Sequence, residues 1–341
     1  MTKAAEIISA APGLFACWHG KRAAIPAPSY QFLTREGAID GERRTRGLEA
    51  LEAFGVIPTV MGGVFEQSGR FAGTDERRAE DFAAALTLAD ADLVMPIRGG
   101  YGMTRLLPLL DWDAIGAAKA PACGFSDFTA FNLALWRMTG RASWQGPMLG
   151  DFAKPEGLDA YAMTRLCAAF GAPLNALGPV EWDVPEAMRP LLGGAEEAAA
   201  FEAEGVVWGG NLCLLESLLG TRWMPTREQT AGGILFLEDV GEAAYRVERM
   251  LLTLLDAGLL DGQKAILLGD FAQADDAWRF PGDATLAGAF SYIRSRLGRG
   301  IPLVAGLPFG HIRRKATLPV GLSGRLRISA GHAELVWRGR P

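Results

Sequence analysis

The chain has 341 residues, 49% of them hydrophobic and 21% charged, with a formal net charge of -5. That composition is globular and water-compatible, and the length suits two domains, each with its own core. No window approaches the ~18 consecutive apolar residues of a membrane span, and an acidic balance without a long Lys/Arg run excludes a nucleic-acid surface. Cys17, Cys123, Cys167 and Cys213 lie far apart without C-x-x-C spacing, which predicts reduced, mostly buried thiols and a cytoplasmic protein. Met1–Gly20 contains Lys3 and Glu6 and no clean apolar stretch ending in a cleavage site, so no secretory leader is expected.

In chain order, residues 1–21 form an extension to which no function is assigned. Arg22–Pro26 and Val56–Val60 are apolar runs flanking a helical pattern from Glu42 to Phe54, a βαβ unit. A helix over Glu76–Leu88, a run over Asp92–Ile97 and a further run before Ser126 continue the alternation. Four strands alternating with helices predict an α/β domain, residues 1–150, with a mostly parallel sheet and functional loops at the strands' carboxyl ends. Residues 151–204 read as a connection with loops, broken by Pro155, Pro173, Pro179, Pro185 and Pro190 and ending in the alanine-glutamate stretch Ala195–Glu204. Residues 205–341 predict a mixed α/β domain. Its strands are Gly233–Leu237, Lys264–Leu268 and Ile301–Ala305, its helices Glu242–Leu255 and Ala284–Leu297, and its hairpin joins 325–329 to 333–337.

Chemistry concentrates at a few places. Ser126 sits where an apolar run meets a helical pattern in Gly124-Phe-Ser-Asp127. A serine becomes a nucleophile when a base takes its proton and donors stabilise the resulting oxyanion. The loop Arg98-Gly-Gly-Tyr-Gly102 lets backbone N–H groups line a concavity. It matches neither G-x-G-x-x-G nor a Walker A loop, so a nucleotide-phosphate cradle is the weaker reading of it, and a plain glycine turn the bland one. Of three histidines, His19 lies in the extension and His332 in the hairpin turn. His311 follows a strand in a Gly-Pro loop, a good place for a general base. Its natural acidic partner is Glu238, at the end of the strand Ile234–Leu237, with Asp239 and Glu242 as neighbours that could take the role instead. Scattered histidines and no H-E-x-x-H predict neither a metal nor another cofactor.

These segments resemble a known family. Arg98-Gly-Gly-Tyr-Gly102 with Arg105-Leu-Leu-Pro108, Gly124-Phe-Ser-Asp127, Gly209-Gly-Asn-Leu212, Leu235-Phe-Leu-Glu-Asp-Val-Gly-Glu242 and Gly306-Leu-Pro-Phe-Gly-His311 are similar to motifs of the LD-carboxypeptidase family of serine peptidases. That family includes murein tetrapeptide carboxypeptidases and microcin C immunity peptidases. The resemblance runs from about Ala23, with Ala-Pro-Ser29 as the first loop, to about Leu326. It implies Ser126 as nucleophile, Glu238 as acid, His311 as base, and the N–H groups of Gly100 and Asp127 as the oxyanion hole. It also implies two domains with the active site in the cleft between them, and a homodimer. The implied reaction hydrolyses the amide between an L-centre of diaminopimelate type and a terminal D-alanine, in peptidoglycan recycling.

Arg98 and Tyr101, in the oxyanion loop, are candidates for substrate binding, and Arg98 for gripping the terminal carboxylate. The alternative within the family is an amidase cleaving peptidyl or aminoacyl adenylates, with Trp182, Trp208 or Trp223 stacking on the base unless they serve as packing anchors. A further alternative is an inactive binding homologue. Where the family often carries His-Gly-Pro, this chain has Gln145-Gly-Pro147.

Overall fold

The computed structural model describes residues 3–154, 159–195, 201–275, 282–298 and 300–341. Pro155 and residues 196–200 of the alanine-glutamate stretch lie outside the described residues. By its internal contacts the chain forms two units, one of Met1–Leu177 with Arg313–Leu318 and one of Gly178–Ile312 with Pro319–Arg340.

In the first unit the short apolar runs pair as expected. β1 (Arg22–Ile25) lies between β2 (Ile57–Val60) and β3 (Leu93–Val94), all parallel. β3 is shorter than the expected run to Ile97, although Met95 and Ile97 still donate to the carbonyls of Ala24 and Pro26. The strand expected before Ser126 is reduced to single bridges at Ala122 and Cys123. Pro121 has no N–H to donate and Gly124 opens the turn, so two residues remain for the ladder. Cys123 pairs with Trp144 of β4 (Ser143–Gln145), carrying the parallel order one strand further.

Helices follow each strand. After α1 (Lys3–Ala10) come α2 (Gly41–Ala53), capped by Asp40 on the N–H of Arg43, and α3 (Asp75–Thr87), capped by Thr74 on the N–H of Arg77. α4 (Thr129–Thr139) follows Ser126 and ends at Gly140, whose φ of 72° is the left-handed cap that glycine adopts freely.

The N-terminal extension packs on this unit. Trp18 is fully buried, its ring 4.4 Å from Phe170 and 4.8 Å from Phe54 between centroids, and its indole N–H donates to Cys167 Sγ at 3.0 Å. These contacts are remote in sequence, so no local pattern announces them.

The second unit is built on a seven-stranded sheet in the order β5-β12-β11-β6-β7-β8-β9. Its members are β5 (Val180–Asp183), β6 (Phe201–Asn211), β7 (Ile234–Val240), β8 (Ala265–Ala272), β9 (Leu303–Ala305), β11 (Leu322–Ser329) and β12 (His332–Trp337), with the short β10 (Leu318–Val320) between β9 and β11 in the chain. β6 to β9 run parallel; β6–β11, β11–β12 and β12–β5 are antiparallel. β5 and the start of β6 fall within the stretch read as a connection: proline disguises the strand Val180–Asp183, although its residues alternate buried and exposed. α5 (Leu212–Leu218), α6 (Ala244–Asp256) and α7 (Leu286–Arg296) complete the unit. α6 buries Val247, Met250, Leu251, Leu254 and Leu255, the spacing of one helical face.

The four cysteines form no disulfide; Cys123 and Cys167 are buried, Cys17 and Cys213 half-buried. Among the described residues no helix is long and apolar enough to cross a membrane. Trp18→Ala should lower unfolding stability by about 3–5 kcal/mol, the usual result of emptying a buried tryptophan site. Urea unfolding checks this; a loss below about 1 kcal/mol would show that the extension does not pack on the folded unit.

Candidate active site

In the first unit Ser126 opens a short turn of 3-10 helix, Ser126–Phe128, that runs into α4. Its φ is +62°, one of three non-glycine residues in left-handed backbone among those described. That conformation costs an L-residue roughly 1–2 kcal/mol, and the surroundings hold it in place. Gly99 lies against it: a Cβ on Gly99 would come 3.0 Å from Ser126 Cβ, 3.1 Å from Oγ and 3.3 Å from the backbone N of Asp127. Only a residue without a side chain lets the backbone pass so near. Gly100, at φ +122°, is exposed, and the Tyr30 ring stands where a side chain on it would be. The turn leads into the N-terminal end of α4, where negative charge is stabilised.

The Asp127 side chain faces inward. Its Oδ2 accepts from the Ser29 hydroxyl at 2.6 Å and from the Met103 N–H at 2.9 Å. Burial pushes its pKa up, and those two hydrogen bonds oppose the shift. One carboxyl therefore ties together the Ser29 loop, the glycine loop and the serine turn. Arg78, buried on α3, braces the same loops by donating to the carbonyls of Pro28 and Gly102, and it pairs with Asp75. On the other side of the turn, Lys315 is 1% exposed, 2.9 Å from Asp151, its ammonium 3.7 Å above the Phe125 ring. Burial alone would raise the Asp151 pKa; Lys315 and Lys154 hold it below the ordinary value. Gln145, where the family often has histidine, is buried and donates to Thr129 Oγ1 at 2.9 Å.

In the second unit β7 carries Glu238 to its carboxyl end, fully buried. Glu238 Oε2 lies 2.7 Å from His311 Nδ1. With the carboxylate as acceptor Nδ1 is the donor, and in a neutral imidazole Nε2 is then the acceptor nitrogen. Asn211, at the end of β6, donates to Glu238 Oε1 and Asp239 Oδ1, at 3.2 Å each. Of the three acids left open by sequence, only Glu238 meets His311: Asp239 accepts from the Cys213 N–H, and Glu242 pairs with Arg246. The close approach again depends on glycine. Gly310 has φ +131°, and a Cβ there would come 3.0 Å from Asp270 Cβ and 3.3 Å from Glu238 Cβ. Burial, then the charge of Glu238, raises the Asp270 pKa.

Ser126, Gly100 and Asp127 thus come together within the first unit, and Glu238 with His311 within the second. Arg98 is half-buried beside Gly99, and Tyr101 is 47% exposed. His19 packs beside Gly55, and His332 bonds Asp183 at 2.9 Å as the first residue of β12. Trp182 and Trp208 are buried with their N–H groups on Ala305 O and Gln263 Oε1, and Trp223 is 9% exposed, so all three are packing anchors. Sequence reasoning missed the supporting residues Ser29, Arg78, Asn211 and Asp270. Ser29 and Asn211 stand inside quoted motifs; Arg78 and Asp270 carry no local signal.

The family model of the LD-carboxypeptidase N-terminal domain matches residues 24–146, and that of the C-terminal domain residues 204–326. A carboxypeptidase-family protein of Streptomyces coelicolor is 36% identical over 319 residues, 92% of each chain. The murein tetrapeptide carboxypeptidase of Pseudomonas aeruginosa is 33% identical over 278 residues, 80% of this chain and 85% of its own. The crystal structure of muramoyltetrapeptide carboxypeptidase from Oxalobacter formigenes superposes with a TM-score of 0.78 at 34% identity, covering 94% of this chain and all of the other. The microcin C7 self-immunity protein MccF shares the fold, with a TM-score of 0.77 at 24% identity over 94% of this chain and 97% of its own.

Gly310→Ala should separate Glu238 from His311, visible as loss of the downfield Nδ1 proton of His311 in NMR spectra; an unchanged signal would show that the loop accommodates a side chain. Asp239 supplies a pH dependence. Burial, reinforced by the charge of Glu238, raises its pKa to about 6, against ~3.9 in an unfolded chain. The folded state holds that proton more tightly, so the stabilisation is full below about pH 4 and is lost as pH rises through about 6. Asp239→Asn removes the term, so its stability relative to wild type should improve across that window and then level off. A difference independent of pH, by urea unfolding, would contradict this.

Proposed function

Because the chain belongs to the LD-carboxypeptidase family, we propose that it is a serine carboxypeptidase. It releases terminal D-alanine from murein tetrapeptide by cleaving the amide to a diaminopimelate-type L-centre. The observation that carries this reading is the fully buried Glu238 at 2.7 Å from His311 Nδ1, an arrangement that in a neutral imidazole makes Nε2 the acceptor nitrogen. The Glu238 charge also stabilises the imidazolium formed when His311 accepts a proton.

In the mechanism His311 takes the Ser126 proton as Oγ attacks the amide carbon. The carbonyl oxygen becomes an oxyanion, received by the N–H groups of Gly100 and Asp127, each donor worth roughly 10²–10³ in rate. His311 then protonates the departing amine, D-alanine leaves, and water admitted with His311 as base releases the acyl group and restores Ser126. No step calls for a metal or cofactor. The close approach of Gly99 to Ser126 Oγ and to the Asp127 amide supports this assignment of the oxyanion donors. Cytoplasmic recycling of peptidoglycan fragments, with the enzyme as a homodimer, is the setting we propose. The packed state of Trp182, Trp208 and Trp223 favours tetrapeptide over an adenylate, whose base those rings were expected to stack.

The test is mass spectrometry of products from murein tetrapeptide and from a peptidyl-adenylate analogue. Wild type should release D-alanine from the tetrapeptide, while Ser126→Ala and His311→Ala lose on the order of 10⁴-fold or more in kcat and Glu238→Ala on the order of 10³-fold or more, all still folded. Cleavage of the adenylate alone would reassign the substrate, an active Ser126→Ala would end the serine mechanism, and inactivity on both would favour a binding homologue.

A further inference from the structure

Several arginines of the first unit are paired with acids. Arg22, Arg46, Arg77, Arg78 and Arg105 each lie within ion-pair distance of an aspartate or glutamate. Arg43, Arg70 and Arg98 have no such carboxylate among the described residues. Arg43 and Arg70 lie near enough to Arg98 for their charges to act on it, and Arg98 adjoins the serine turn through Gly99. Arg70 lies 4.2 Å from the Tyr30 ring centroid and Arg98 5.9 Å from the same centroid, while Arg43 lies 4.5 Å from the adjacent Phe32 ring. Tyr30 in turn rests on Gly100. Arg98 immediately precedes Gly99, the residue packed on Ser126 Oγ, and its Nε donates to the Gly99 carbonyl at 3.1 Å.

Burial, and after it the charges of Arg43 and Arg70, holds the Arg98 pKa below its ordinary value, which agrees with three cations sharing one neighbourhood. Arg43 stands in the first turn of α2, where the helix already presents positive partial charge. A protein of net charge -5 thus brings together three guanidinium groups that have no ion-paired carboxylate among the described residues, one of them, Arg98, adjoining the serine turn. Guanidinium forks favour bidentate carboxylate or phosphate, and aromatic faces hold their planes in place.

We propose that Arg43, Arg70 and Arg98 form a subsite for a polycarboxylate portion of the substrate, fixing an acyl donor that bears two or more carboxylates near the scissile amide. This deepens the carboxypeptidase reading and rests on it for the identity of the donor. It makes net negative charge, and not the D-alanine alone, a determinant of specificity.

The experiment uses the full chain with Ser126→Ala, so that nothing turns over, and isothermal titration calorimetry with three probes: murein tetrapeptide, the same peptide with its diaminopimelate carboxylate amidated, and tricarballylate. The tetrapeptide should bind about tenfold to a hundredfold more tightly than its amidated form, the usual size of one charged hydrogen-bonding partner. Arg43→Gln with Arg70→Gln should remove that preference. Tricarballylate should bind, shift the Nε–Hε NMR signals of the arginines, and be lost with the same substitutions. Tricarballylate binding without tetrapeptide binding would keep the subsite and overturn the tetrapeptide reading. Equal affinity for both peptides, or a preference that survives the substitutions, would overturn the subsite.

Discussion

A serine at φ +62° occupies backbone that its own side chain disfavours, and much of the first unit can be understood as what holds it there. The cost, roughly 1–2 kcal/mol, is small beside the cohesion of the surrounding contacts but large enough that an unsupported loop would relax. Support comes from three directions. The inward Asp127 carboxyl binds Ser29 and Met103, Gly99 packs on the serine itself, and the buried Lys315 ammonium sits on the Phe125 ring. Asp127 and Lys315 each use a charged side chain in a dry place, where an unmet partner is expensive. The strained turn therefore comes with its own enforcement.

The second unit solves a different problem, that of burying a carboxyl group with its hydrogen bonds met. Glu238 is fully buried, yet it accepts from Asn211 on one oxygen and from His311 on the other. Asp239, next along the strand, shares Asn211 and takes the Cys213 amide. The two acids stand side by side on a shared Asn211, and burial first, then the charge of Glu238, raises the pKa of Asp239. Buried acids that interact this strongly are commoner at functional sites than in structural cores. The glycines Gly209 and Gly310 belong to the same construction: a Cβ on Gly209 would lie 2.0 Å from Phe236 O, so β6 can approach β7 closely enough to bring Asn211 to Glu238.

Legibility in the sequence followed the range of the forces involved. The βαβ alternation around Arg22–Val60, the amphipathic helix over Ala244–Asp256 and the hairpin of β11 and β12 come from local periodicity and were readable as such. Glu238 was the natural acid but Asp239 and Glu242 stayed open, because a strand end specifies position but not which carboxylate turns toward His311. β5 went unseen among prolines, and the packing of Trp18 on Phe54 and Phe170 joins segments that share no pattern. Arg43 and Arg70 were invisible beside Arg98 for the same reason: they reach it through Tyr30 and Phe32 from distant parts of the chain.

The central claim, that Ser126 is a nucleophile activated by the Glu238–His311 pair, is most directly tested by labelling with a fluorophosphonate followed by peptide mapping on wild type and His311→Ala. Covalent capture needs both an activated hydroxyl and donors for the charged oxygen. Stoichiometric modification of Ser126 in wild type, with the rate lowered by at least about a hundredfold in His311→Ala, is the predicted result. Labelling of another residue, or of Ser126 at the same rate without the imidazole, would contradict it.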